Sequence, residues 1–204
     1  MTRIEPVSAD QVTNPNLLEA MAIQREQLGV VPQSLMTMAH RPEMAAAWAR
    51  LTATVVGPGD VSGELKQLVA YIASLSHGCM YCQAHTGHKA AHLGVEPEKL
   101  QSVLEAESRP DLFSEAERAA MALAWAAARS PSEATDDHFT RLSESFSDAQ
   151  IVEIAGVIAM FGWLNRWNDM MATTLEDGPL EFANEVLAQA TGWTVGAHAA
   201  VSPE

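Results

Sequence analysis

Ser62-Gly63-Glu64-Leu65-Lys66-Gln67-Leu68-Val69-Ala70-Tyr71-Ile72-Ala73-Ser74-Leu75, continuing through Ser76-His77-Gly78-Cys79-Met80-Tyr81-Cys82-Gln83-Ala84-His85, is the stretch that decides the fold. Leu65, Leu68, Val69, Ile72 and Leu75 repeat at i, i+3, i+4 and i+7, the apolar face of a helix and not the alternation of a strand. Ser62 is placed to cap that helix. Gly78 interrupts it, and a second helix is expected from Cys79 to Leu93, stopping at Gly94.

Working outward, helical periodicity continues. A first helix is expected from Asn16 to Leu28, ended by Gly29 and a short Val-Val-Pro segment. Another runs from Pro42 to Val55, and Gly57-Pro58-Gly59-Asp60 breaks the chain after it. Downstream, Pro97 opens a short helix that ends before Arg109-Pro110. Ser114–Glu117 and Ser147–Gln150 both have the spacing of a capping box. A helix is expected from Thr135, a long one from Asp148 to Thr174, and a terminal one after Gly178-Pro179 up to Thr191, with the tail after Gly192 frayed. Runs of β-branched residues suited to a sheet are missing. The expected class is all-α, as one domain over residues 1–204: an N-terminal extension over 1–27, a core over 28–177, and a C-terminal helix and tail over 178–204.

With 204 residues, 48% of them apolar, the chain can bury a real core. Its 12 basic residues against 26 acidic ones give a net charge of −14, a field that repels nucleic acid and anionic membranes, so neither is an expected partner. The run Ile154 to Leu164 is too short to span a bilayer. Met1 to Pro6 carries no apolar stretch after its basic residue, so the expected location is cytoplasmic. In that compartment a close cysteine pair points to redox or metal chemistry and not to a structural staple.

Cys79 and Cys82 are three apart at a helix start, one turn from each other, where free N–H groups and the helix dipole favour thiolate. His85 follows Cys82 by three and shares its face, within reach of the thiol proton. The cycle this allows begins when the Cys82 thiolate attacks a peroxide or disulfide; Cys79 then resolves the product as an internal disulfide. Two other readings compete. Cys79, Cys82, His85 and His88 have zinc-ligand chemistry, but four ligands on one continuous helix do not surround an ion tetrahedrally. The cysteines can also be inert core residues; the polar neighbours Gln83, His85 and His88 argue against that. His88 and His92 read as surface residues, and His77 either touches the site or belongs to a polar loop. Late in the chain, Trp163 to Asp169 mixes aromatic, basic and acidic groups. An Arg166–Asp169 pair fits the spacing, and Asn165 and Arg166 lie either near the thiols or on a helix leaving the core.

Cys79-Met80-Tyr81-Cys82-Gln83-Ala84-His85-Thr86, with Gly94-Val95 after it, resembles the carboxymuconolactone decarboxylase/alkyl hydroperoxidase D-like superfamily. Val31-Pro32, His40-Arg41-Pro42, Phe113 to Arg118 and Asn165-Arg166 extend the likeness over about residues 28–177, to its peroxidase-related branch. The resemblance implies a helical bundle that self-associates as a dimer, trimer or hexamer and uses no metal or organic cofactor. It also implies that Cys82 is peroxide-reactive, that Cys79 is resolving, and that an unidentified thiol serves as reductant. True lactone decarboxylases of the superfamily lack the cysteine pair.

Two positions depart from the family pattern. The histidine commonly falls four residues after the second cysteine, where this chain has Thr86; His85 comes at three. Family peroxidases also carry a glutamate twelve residues before the first cysteine, as the far end of a proton relay. Here that position is Gln67, whose amide accepts no proton at neutral pH. Glu64, one turn earlier on the same face, either replaces it or is an ordinary solvated carboxylate. The expected site is therefore Cys79, Cys82, His85 and Glu64, and the expected function is thiol-dependent reduction of hydroperoxides or disulfides. The alternatives are a lactone-type enzyme on the same fold and a redox-sensing oligomer with little turnover.

Overall fold

The computed structural model describes residues 2–200, and no strand occurs among them. Along the chain run α1 (Pro15–Leu28), α2 (Gln33–Met38), α3 (Pro42–Val56), α4 (Gly63–His77), α5 (Met80–His92) and α6 (Pro97–Gln101). They are succeeded by α7 (Glu115–Ala127), α8 (Asp136–Ser143), α9 (Asp148–Met171), α10 (Asp177–Phe182), a π segment Ala183–Leu187, and α11 (Ala188–Thr191). No helix among the described residues is long and apolar enough to cross a membrane.

The expected caps form. Ser62 accepts from Leu65 N–H at the start of α4, and Ser114–Glu117 and Ser147–Gln150 close their capping boxes. One short helix, α2, is not expected from the sequence. It holds five buried residues after Pro32 and packs against α3; a six-residue segment is too short for its period to stand out.

At the centre lies α4, buried from Leu65 to Ser74. Its packing explains that: α5, α7 and α9 all lie against it, so apolar groups are needed all round and not on one stripe. Lys66 is the charged exception, 1% exposed. Its ammonium donates to the Gly57 carbonyl at 2.8 Å and meets Glu153 of α9 at 2.8 Å. Glu153 also accepts from the N–H groups of Asp60 and Val61. One buried charge thus fastens the Gly57–Asp60 break to α9.

Trp48 of α3 stacks on Trp163, which stacks on Trp167 of the same helix α9, so these tryptophans join helices within one chain. Asp169 does not take Arg166 as its partner. Arg166 instead donates to the Gly162 carbonyl one turn back, while Asp169 points toward histidines of two other segments.

Over residues 193–198 the expected fraying is wrong. Gly192, at φ 68°, ends α11 and turns the chain back onto the start of α5. There Trp193, 3% exposed, donates its indole N–H to the Met80 carbonyl at 2.9 Å. The His198 carbonyl accepts from Leu175 N–H at 2.9 Å. A buried tryptophan and three hydrogen bonds, the third between His198 Nδ1 and the Thr173 carbonyl, anchor a segment whose composition resembles a free end.

Candidate active site at the Cys79–Cys82 turn

Gly78 takes φ 92°, a left-handed conformation that ends α4 and reverses the chain within one residue. Cys79 is thereby the N-cap of α5, its N–H donating to the Ser74 carbonyl at 3.2 Å, and Cys82 sits in the first turn. Both are free thiols, 0% and 2% exposed. The Cys79 thiol is hydrogen-bonded to the Cys82 sulfur; that bond and burial push the Cys79 pKa far above the ordinary thiol range. Asn168 of α9 donates its amide N–H to Cys82 Sγ at 3.3 Å. Two donors thus converge on the Cys82 sulfur.

His85 turns its Nε2 to Glu176 at 2.6 Å, with its ring 4.5 Å from that of Tyr81. Glu176 precedes α10 and is 8% exposed in its side chain. It accepts from Tyr81 Oη at 2.9 Å and from Gln33 N–H at 2.5 Å. Burial works to raise its pKa, but the His85 imidazole and the backbone donors outweigh it and hold the carboxyl below the usual range. Burial and Glu176 push Tyr81 the other way, so its hydroxyl remains a donor.

Glu64, by contrast, is exposed in the first turn of α4. The carboxylate that meets His85 is Glu176, from 91 residues further along the chain. Gln67 is 7% exposed and lines the pocket at Cys82. That pocket, about 120 Å³, is walled by Trp48, Tyr81, Phe161 and Leu164, with Cys82 and His85 on its surface. Two buried polar atoms beside it, Trp48 Nε1 and Asn168 Oδ1, carry no hydrogen bond among the described residues. His88 lies apart, its ring against His92 and Phe182.

On the far side of Cys79 stands a second imidazole–carboxylate pair. His198 Nε2 is 3.4 Å from Asp169 Oδ1, and His77 Nε2 is 3.5 Å from Asp169 Oδ2. Cys79 Sγ, an Asp169 oxygen and a His198 nitrogen all lie within 4.8 Å of one another. These are residue types that also bind metals; here the carboxylate and imidazole pair with each other and the thiol is bonded to Cys82.

Cys79, Cys82 and His85 are expected from the sequence and lie together in the structure, whereas Asn168, Glu176, Asp169 and His198 beside them are not expected from it. Asn168 and Asp169 fall within the mixed segment singled out in α9. Glu176 and His198 are isolated polar residues in connecting segments and leave no periodic or motif signal.

The carboxymuconolactone decarboxylase family model matches residues 42–128, the span containing the cysteine turn. No protein with a curated description matches the chain. Among solved structures, the debrominase Bmp8 is 33% identical, with a TM-score of 0.83 over 91% of this chain and 98% of that one. A variant of Bmp8 with one cysteine replaced by alanine, in complex with 2,3,4-tribromopyrrole, superposes with the same TM-score at 32% identity, over 91% of this chain and 98% of that one. The alkylhydroperoxidase AhpD core of a peroxidase-related protein from Ralstonia eutropha JMP134 shares the fold, at TM-score 0.74 and 21% identity over 85% of this chain and 92% of that one. The chain belongs to the carboxymuconolactone decarboxylase family and has its alkyl hydroperoxidase D-like, all-helical fold.

Proposed function

We propose that this protein is a thiol-dependent reductase that takes an electrophilic atom from a small apolar substrate onto Cys82 and discharges it by closing the Cys79–Cys82 disulfide. One observation carries the reading. The Cys82 sulfur faces an aromatic-walled pocket, held by an amide donor, with a second thiol hydrogen-bonded behind it. A pocket of this size, over a sulfur only 2% exposed, suits a compact molecule better than a protein disulfide.

With an organic hydroperoxide, the Cys82 thiolate attacks the distal oxygen. The O–O bond breaks, the alkoxide takes a proton, and Cys82 is left as a sulfenic acid. The Cys79 sulfur then attacks Cys82, releasing water and forming the disulfide; an external thiol restores both cysteines. The His85–Glu176 pair supplies the proton to the leaving oxygen, Glu176 holding the ring as Asp or Glu does in other carboxylate–imidazole pairs.

A second electrophile has its own support. The likeness to a debrominase extends over nearly the whole chain, and Trp48, Tyr81 and Phe161 offer faces to a planar ring. With a bromoarene, the thiolate attacks bromine, the aryl carbanion takes the proton from His85, and Cys79 displaces bromide. Asn168 Oδ1 is placed to accept from a ring N–H. Self-association belongs to the same proposal, since Leu51, Trp163 and Met170 leave large apolar groups exposed.

The deciding experiment supplies cumene hydroperoxide or a brominated pyrrole to the reduced protein with dithiothreitol, monitoring peroxide loss or bromide release. Turnover of either that vanishes in Cys82→Ser supports the proposal. Activity that survives in Cys82→Ser, or no turnover of either by wild type, contradicts it.

A further inference from the structure

We propose that His198, returned to the site by the C-terminal turn and oriented by Asp169, is a catalytic residue for the second half of the cycle, readying the Cys79 sulfur to attack oxidised Cys82. The inference rests on the reading of Cys79 as the resolving sulfur.

The placement of His198 is over-determined. Trp193 anchors the segment to the first residue of α5, and Leu175 N–H clamps the His198 carbonyl. The Thr173 carbonyl lies 2.8 Å from His198 Nδ1. A carbonyl only accepts, so Nδ1 carries a proton and Nε2 is the atom turned toward Asp169 and Cys79. The ring is 3% exposed in a segment otherwise poor in reasons to be buried. The Thr173 carbonyl holds one ring nitrogen and leaves the other, Nε2, to Asp169 and Cys79 together. Here it addresses the cysteine behind the pocket, whereas His85 and Glu176 sit on the pocket side.

The two imidazoles therefore divide the cycle. In the resting dithiol, Cys79 keeps its proton because it donates to the Cys82 sulfur. Once Cys82 carries the oxygen, its sulfur is a weaker acceptor and the bond holding the Cys79 proton weakens. His198 Nε2–H then stabilises Cys79 as thiolate. The new S–S bond forms as the S–O bond of the sulfenic acid breaks, and the Cys79 proton leaves with the hydroxide as water. In reverse, an external thiol that attacks Cys82 expels Cys79 as a thiolate already paired with the imidazolium.

Among the described residues, the charged and titratable groups around His198 come from four segments. They are Asp169 from α9, Cys79 from the α4–α5 turn, Tyr81 from α5 with its ring 5.7 Å away, and His77 through Asp169. Burial alone lowers the His198 pKa, but Asp169 and Cys79 reverse this and raise it to about 9. The imidazolium thus persists through neutral pH.

Diamide, an azo oxidant of thiols, tests this without any assumption about the natural electrophile. Cys82 adds across its N=N bond with uptake of a proton; Cys79 then displaces the protonated hydrazine and closes the disulfide. Stopped-flow mixing with mass analysis of quenched samples separates adduct formation from closure. His198→Asn is expected to leave adduct formation within about twofold of wild type. It should slow closure by about 10- to 100-fold, and move the midpoint of its pH profile upward. Asp169→Asn, a half-exposed position that tolerates the change, should slow closure in the same direction and guards against misfolding of the first variant. Closure at the wild-type rate and pH profile in Asp169→Asn and in folded His198→Asn overturns the proposal. Normal diamide closure with no turnover of peroxide or bromopyrrole would instead count against the proposed function alone.

Discussion

Replacing Glu176 by Gln removes one negative charge and keeps the shape, so its effect can be worked out bond by bond. Oε1 accepts from Tyr81 Oη and Gln33 N–H, and Oε2 accepts from His85 Nε2. A glutamine carbonyl in the Oε1 position retains the first two bonds. Its amide nitrogen then faces His85 and satisfies it only if Nε2 is an acceptor, which forces the proton to Nδ1, the tautomer opposite to the one Glu176 selects. Charge-assisted hydrogen bonds contribute roughly 1.5–3 kcal/mol each. The variant should therefore lose about 2 kcal/mol of stability in urea unfolding at neutral pH. The carboxyl is held below its ordinary pKa, so its stabilisation is present above about pH 4.3 and is lost as pH falls through the lower folded value. Below that pH the difference between wild type and Glu176→Gln should shrink. Without a correctly protonated His85, single-turnover oxidation of the dithiol by cumene hydroperoxide should slow by about 100-fold or more. A variant oxidised within about twofold of the wild-type rate, though destabilised as expected, would refute the role given to the His85–Glu176 pair.

Glu64→Gln should leave both turnover and stability within about 0.5 kcal/mol of wild type, because Glu64 is exposed; a large loss of peroxide reduction would restore it to the relay. Glu153→Gln leaves the Lys66 ammonium buried without its counter-charge and should cost about 2–4 kcal/mol, discounted for the partial exposure of Glu153; chemical denaturation measures it. His198 is raised from 6.5 to about 9, so its stabilisation is full below pH 6.5 and lost as pH climbs through 9. At most ~3 kcal/mol comes from that shift, nearer ~1–2 with Asp169 half exposed, and thermal unfolding between about pH 6 and pH 10 should show a decline that His198→Asn lacks.

What the sequence reveals and what it conceals divide along the range of the interactions. The apolar repeat of Leu65, Leu68, Val69, Ile72 and Leu75, the caps at Ser62, Ser114 and Ser147, and the stop at Gly78 are local, and each is legible. So is the Cys79–Cys82–His85 spacing, because all three residues belong to one turn and one helix. The polar partners of these groups are brought in from afar: Glu176 to His85, Asn168 to Cys82, Asp169 and His198 to Cys79. Asn168 and Asp169 lie in a mixed segment that stands out in the sequence without pointing to the thiols, and Glu176 and His198 have no period or neighbour that marks them. Looking for the missing relay carboxylate on α4 leads to Glu64, one turn from Gln67; the folded chain supplies a carboxylate from the loop before α10. The tail after Gly192 misleads for a related reason, since one tryptophan contact outweighs a small-residue composition.

The most direct test of the dithiol account is the mass of the protein after one equivalent of cumene hydroperoxide, measured without reductant and with free thiols blocked. Wild type should lose its two free thiols together and the mass of two hydrogens, as an intramolecular disulfide. Cys79→Ser should stop with one added oxygen on Cys82. Cys82→Ser should remain unoxidised over the same interval. Oxidation of Cys79 in Cys82→Ser at the wild-type rate, or wild-type protein that stays fully reduced, would contradict the account.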